Sequence, residues 1–239
     1  MMIKTGLIII GITALISCNQ TQTNNSEITK TAVSEVKNIG NDTIISFESY
    51  DLNKLPNNWS QYYTGKAGEE PNWQIVDDNG NKVIAQLTSN NPNYHFNDVV
   101  FNNIVAKNVE LKVKIKAIKG TMDQGGGFIW RFIDADNYYV VRANPLEDNV
   151  VLYKVENGKR TDLALIGKGR TYGVDVPELG MDWNTLKLIA KDDIFTVFLN
   201  DKEIFKVKDS TFKNAGKVGL WTKADAVSYF DDFKVVVNE

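Results

Sequence analysis

The ten residues Val109–Ile118, VELKVKIKAI, alternate without interruption: Val109, Leu111, Val113, Ile115 and Ala117 on one parity, Glu110, Lys112, Lys114 and Lys116 on the other. Successive side chains of a strand point to opposite faces, so this is a strand with one face in a core and the other in water. The same period continues outward. Asn184–Val207, NTLKLIAKDDIFTVFLNDKEIFKV, divides into three strands at Asp192-Asp193 and Asn200-Asp201, pairs suited to tight turns. Further strands are expected at Lys82–Leu87, Val150–Val155, Asp162–Ile166, Lys217–Thr222 and Val227–Val237. No stretch after Thr43 sustains a helical period, so the folded part is expected to be an all-β jelly-roll β-sandwich.

A second stretch, Gly125–Pro145, GGGFIWRFIDADNYYVVRANP, folds into a hairpin if the turn falls at Ala135-Asp136 and Asp134 opposes Asn137. Carried through evenly, that register puts Phe128, Trp130, Phe132, Tyr139, Val141 and Ala143 on one face. Ile129, Arg131, Ile133, Tyr138, Val140 and Arg142 take the other. Burying each large side chain of the first set contributes about 1.5–3 kcal/mol, which makes it the expected inner face. The second set presents two arginines and a tyrosine on rigid strands. Gly125–Gly127 mark a bulge or a close approach of ligand or neighbouring backbone. No Gly-Lys-Ser or Gly-Lys-Thr follows, so they are not a phosphate loop.

The N-terminus, MMIKTGLIIIGITALISC, carries one early cation, Lys4, an apolar run from Leu7 to Ile16, and Leu15-Ile16-Ser17-Cys18 at its end. The run is short for a membrane span and suits a signal peptide. The last four residues resemble a bacterial lipobox, whose cysteine is acylated and becomes the first residue after cleavage. Cys18 is the only cysteine, so no disulfide forms within the chain. Residues 1–17 are therefore expected to be a lipoprotein signal peptide, Cys18 the lipidation site, 18–42 a polar flexible tether and 43–239 the folded domain. The setting this implies is the bacterial cell envelope, at the outer membrane, with the lipid as the sole membrane attachment. Formal charge is −3, or −4 once Lys4 leaves with the leader, and the basic residues are scattered, which disfavours nucleic acid as a partner.

Two long blocks, RFIDADNYYVVRANPLEDNVVLYKVENGKR (Arg131–Arg160) and GKVGLWTKADAVSYFDDFKV (Gly216–Val235), with Trp183, Leu186 and Leu188 between them, resemble the concanavalin A-like domains called 3-keto-disaccharide hydrolase-like, or family 16 glycoside hydrolase-like. The resemblance spans Ile44–Val237. It implies a lectin- or glucanase-like jelly roll, an exported setting and an association with carbohydrate, and it implies activity far less, because fold does not fix function. True family 16 hydrolases carry Glu-x-Asp-x-Glu or Glu-x-Asp-x-x-Glu on one strand. Here no glutamate is followed two residues later by aspartate, so the paired carboxylates of a retaining hydrolase, about 5–5.5 Å apart, are not supplied in that way. Adjacent Glu147 and Asp148 would face opposite ways in a strand and suit a loop or turn.

Cleavage of a 3-keto-disaccharide by elimination has another demand, a base and an electrophile. His95, the sole histidine, is the candidate base, or else a loop histidine beside a strand start. A divalent cation would have to lean on oxygen ligands. DADN lacks the later glycine and glutamate of a calcium loop and suits a turn. Asp231 falls on the apolar parity of the last strand, so it is buried with an arginine or cation, or a bulge shifts the register. Arg131, Tyr138 and Arg142 are the candidates for glycan binding, the arginines as multiple donors and the tyrosine as a stacking surface. The alternative is that both arginines lie on a solvated face with acidic partners. Trp221 and Lys223 form a second candidate group. Asn57–Trp73, NNWSQYYTGKAGEEPNW, reads as a polar loop whose aromatics either form a sugar platform or pack at the sandwich edge. Together these residues describe a lipid-anchored, glycan-binding envelope domain, with a 3-keto-glycoside hydrolase or lyase, or a structural module, as the alternatives.

Overall fold

The computed structural model describes residues 36–39 and 42–238. The leader and the Cys18 lipidation site lie outside these residues. In chain order the strands are β1 (Val36–Ile39), β2 (Asp42–Ile45), β3 (Trp59–Thr64), β4 (Trp73–Asp78), β5 (Asn81–Gln86), β6 (Phe96–Ala106), β7 (Asn108–Lys119), β8 (Gly126–Asp134) and β9 (Asn137–Asn144). They continue with β10 (Asn149–Glu156), β11 (Lys159–Asp162), β12 (Val174–Asp175), β13 (Asn184–Lys191), β14 (Ile194–Leu199), β15 (Lys202–Lys208), β16 (Gly216–Lys223) and β17 (Val227–Asn238).

Two antiparallel sheets result, as expected of a jelly-roll β-sandwich. The first runs β1-β2-β17-β7-β13-β14-β15, with β5 on β17 and β4 on β5; the second runs β11-β10-β9-β8-β16-β6-β3, with β12 on β10. The alternation of VELKVKIKAI is realised in β7. Val109, Leu111 and Val113 are buried, while Lys112, Lys114 and Lys116 face outward onto Asp201, Asp232 and Asp78 at 3.4, 2.6 and 2.9 Å. Between the sheets lies one continuous core in which Trp130 meets Tyr139 and Phe195, with ring centroids 5.3 Å apart in each pair.

Several expectations need correction. β1 pairs with β2, Val36 opposite Ile45, so the sheet begins inside the stretch read as tether, ahead of Thr43. The supposed loop Asn57–Trp73 contains β3, and Trp59 and Trp73 are core residues; its polar alternate positions disguised a strand at the end of the second sheet. β6 begins at the strand start read beside His95, and its length of 11 residues is set by the structure. The strand expected at Asp162–Ile166 ends at Asp162, leaving Leu165 in isolated bridges.

The hairpin turn is where the sequence puts it, Asp134 opposite Asn137, but the register slips between Trp130 and Asp134, so that Trp130 opposes Tyr139 and Phe128 opposes Val141. Arg131 sits in the bulge with φ of 48°, a left-handed conformation that is costly for a residue with a Cβ. The bulge moves Phe132 to the outer face and takes Arg131 off it. A similar shift in β17, with Asp232 at φ of 49°, brings Phe230, Phe233 and Val235 to the core. Asp231 is itself buried, accepting from Asn81 Nδ2 at 3.1 Å and from the Asp232 amide at 2.7 Å. The glycine run is a close approach of chains. A Cβ on Gly127 would lie 1.9 Å from the Val141 carbonyl oxygen.

Candidate functional site

A sandwich needs one buried face per sheet. The second sheet buries both. Phe96, Val100, Ile129, Phe132, Tyr138, Val140, Val151, Tyr153, Val155 and Trp221 form a second apolar cluster on the face turned away from the first sheet. The sandwich core does not explain that cluster, and the polar groups set among it define the candidate site.

Asp98 is the central one. It lies on β6 between Phe96 and Val100 on the outer parity, opposite Tyr62 of β3 and Trp221 of β16. It is fully buried, and neither carboxylate oxygen has a hydrogen-bond partner. Thr64 Oγ1 donates to the Ala135 carbonyl at 2.5 Å, so the Tyr138 hydroxyl, 2.7 Å from Thr64 Oγ1, must be the donor of that second bond. The two hydroxyls stand close enough to Asp98 to lower its carboxyl, but their hydrogen bonds of ordinary geometry run along the chain Tyr138, Thr64, Ala135. Burial pushes the Asp98 carboxyl well above the usual carboxylate range, and the nearby Tyr138 and Thr64 hydroxyls offset only part of that. Burial likewise raises the Tyr138 phenol, with the charge of Asp98 adding to the effect.

Around Asp98 the aromatic rings are continuous. Phe96 lies 5.4 Å from Trp221 and 5.0 Å from Tyr94. The Arg160 guanidinium is layered over Tyr153 at 4.4 Å and Phe96 at 5.0 Å, and its buried Nη1 has no partner. The Trp221 indole nitrogen is also unpartnered, but so are those of Trp59, Trp73 and Trp130 in the core. An unpartnered indole is therefore not distinctive here, whereas a buried carboxylate with two empty oxygens is.

The remaining candidates separate into those on this face and those spent elsewhere. Tyr138, Arg142 and Trp221 belong to it. Arg142 is held by its own protein: Nη2 donates to Glu147 Oε2 at 2.6 Å and to the Tyr153 hydroxyl at 3.1 Å, and Nη1 donates to Asn149 Oδ1. Only its Nε is left over. Burial alone would raise the Glu147 carboxyl, but Arg142 beside it holds it below the usual range. Lys223 lies at the end of β16 and is committed to Asp123, 2.8 Å away, an acid that also accepts from the Gly125 amide.

Arg131 is not with Arg142. Its Nε, Nη1 and Nη2 donate to the carbonyls of Lys107, Phe212 and Asp192 at 3.0, 2.8 and 2.5 Å, and its guanidinium lies 5.3 Å from the Phe195 ring. His95 stacks on Tyr63, with centroids 4.9 Å apart, and its Nδ1 is 2.7 Å from the Ala67 carbonyl. A carbonyl only accepts, so Nδ1 carries the hydrogen, and Nε2 is buried without a partner. The ring precedes β6 on the parity opposite Asp98, so it does not join the cluster. Among the described residues no three His, Cys, Asp or Glu side chains group to hold a metal, and Asp231 has only Asn81 and Asp232 about its oxygens.

The cluster meets the surface at a cleft of about 530 Å³, lined among others by Gly65, Lys66, Tyr94, Asp136, Asn157 and Gly158. Gly65 follows Thr64 and Asp136 follows Ala135, so the cleft begins where the hydroxyl chain beside Asp98 ends.

No family model matches the chain, and no curated protein does. Solved structures do. The carbohydrate-binding module CBM66 from Bacillus subtilis is 21% identical over 74% of this chain and 94% of its own, with a TM-score of 0.53. A cellulose-induced protein is 12% identical over 81% of this chain and 96% of its own, with a TM-score of 0.54. The GH43 protein BlXynB from Bacillus licheniformis has a TM-score of 0.54 at 12% identity, over 84% of this chain but 40% of its own. The fold is the β-sandwich found in carbohydrate-binding modules and glycosyl hydrolases, and among the described residues it carries no metal-binding group of acids.

Proposed function

We propose that the domain binds a glycan on the outer side of its second sheet, at the cleft where the layer that buries Asp98, Phe96, Trp221 and Tyr153 meets the surface. The observation that carries this is that cleft, floored by the half-exposed Tyr94 ring and adjoining the hydroxyl chain beside Asp98. A sugar ring brings hydroxyls for the polar groups at its mouth and an apolar C–H face for the Tyr94 ring. Arg142, fixed by Glu147, positions the far end of the face. Isothermal titration of the protein with cello-, xylo-, arabino- and fructo-oligosaccharides is expected to give saturable binding to at least one series. Silence across all four would overturn the reading.

One observation favours a second reading, cleavage of a 3-keto-glycoside, which the resemblance of the two sequence blocks also suggests. A carboxyl held above its usual range can donate a proton to a departing glycosidic oxygen, and Asp98 is such a group. Including a 3-keto-disaccharide in the titration distinguishes the two, because release of free sugar marks turnover.

The proposal extends to location. Acylation at Cys18 would hold the domain at the envelope, and Cys18→Ser is expected to yield a soluble or unprocessed protein. A mature-sized, lipid-labelled form of that variant in the membrane fraction would sink the idea.

A further inference from the structure

We infer that the cleft beside Tyr94 holds more than one sugar ring, with Tyr94 as its stacking platform, so that the ligand is an oligosaccharide lying over that ring. The inference rests on the glycan reading above and adds to it the length of chain recognised. Tyr94 is half exposed, unlike the other rings of its row, and it stands at the end of the sequence Trp221, Phe96, Tyr94 with centroid steps of 5.4 and 5.0 Å. Phe96 and Trp221 are covered, so Tyr94 is the ring of that row open to a ligand.

The ring is fixed in place. Its hydroxyl accepts the Arg160 amide hydrogen at 2.7 Å, so the same strand that layers the Arg160 guanidinium over Phe96 also sets the Tyr94 ring. The facing wall is equally rigid. The Gly158 amide donates to the Asp136 carbonyl at 2.9 Å, and the Asn157 amide to Asn137 Oδ1 at 3.1 Å, which ties the β10–β11 turn to the β8–β9 turn. An aromatic platform and a wall that are ordered before binding lose little entropy when a ligand arrives.

The chemistry of the lining suits a sugar. Exposed Lys66, Asp136 and Asn157 supply a donor, an acceptor and an amide around the ring, and about 530 Å³ lies within the range of small-molecule sites. A carboxylate ligand would face Asp136, and an apolar one would leave these groups unpaired. A neutral polyhydroxylated ring satisfies them all.

The test is titration of the full chain with the two-, four- and six-residue members of the same cello-, xylo-, arabino- and fructo-oligosaccharide series. For the series that binds, affinity is expected to rise about tenfold or more from the disaccharide to the tetrasaccharide, the increment of one well-placed contact. Tyr94→Ala is expected to bring that ratio down to about one, whereas Tyr94→Phe, which keeps the ring, retains most of it. A wild-type ratio near one, or an unchanged ratio in Tyr94→Ala, overturns the multi-ring platform and leaves the glycan reading standing. Absence of binding at every length overturns both.

Discussion

Arg131→Met is expected to lower the unfolding free energy by about 3–5 kcal/mol, roughly 10 °C or more in Tm for a domain of this size. The guanidinium is almost wholly buried and closes three carbonyls, from the β6–β7 turn, the β13–β14 turn and the segment before β16, the first two of which are also tied by the Lys107–Asp192 pair at 3.0 Å. Methionine fills the volume but leaves those acceptors without donors. Lysine keeps the charge yet cannot spread three bonds in a planar fork, so Arg131→Lys is expected to lose more than half as much. Arg131→Gly relieves the positive φ and is expected to fall about 1 kcal/mol short of the methionine loss. Urea unfolding of the four proteins measures this. A methionine variant within about 1 kcal/mol of wild type would show that the three carbonyls find other partners.

Asp98→Asn is expected to do the opposite and stabilise the fold. The Asp98 carboxyl is raised in the folded protein, so between its unfolded and folded values the native state holds a proton that the unfolded state has released. Stability on this account is intact below the unfolded value, about pH 4, and is lost as pH rises through the folded one. Asparagine has no such cost. The variant should therefore match wild type near pH 4 and exceed it at pH 7, by on the order of 1–2 kcal/mol or about 3–6 °C. Equal stability at both pH values would mean that Asp98 is paired.

The sandwich and its turns were legible in the chain because a half-buried strand writes its geometry as a period of two. β7, β13, β14 and β15 follow from that period alone, and so does the DADN turn. β3 and the length of β6 were missed for a physical reason. β3 lies at the end of its sheet, where polar alternate positions look like loop, and β6 is buried on both faces, so its outer residues read as apolar without alternation. The signal for Asp98 was present all the same: a charge on the parity of Phe96 and Val100 in HFNDVV.

Arginine placement was beyond the reach of pattern. Arg131 and Arg142 are an odd number of residues apart, and an even register puts them on one face of the hairpin through the crossing of strands. The bulge at Arg131 overrides this, because a backbone slip changes every facing beyond it while leaving the sequence period intact. What the sequence determined by itself was the alternation, hence the strands, the turns and the all-β class. Which side chains face one another across strands far apart in the chain is a property of the paired sheets. Only the tertiary structure could show that Arg131 closes carbonyls, that Arg142 meets Glu147, and that Asp98 lies buried beside the Tyr138 and Thr64 hydroxyls.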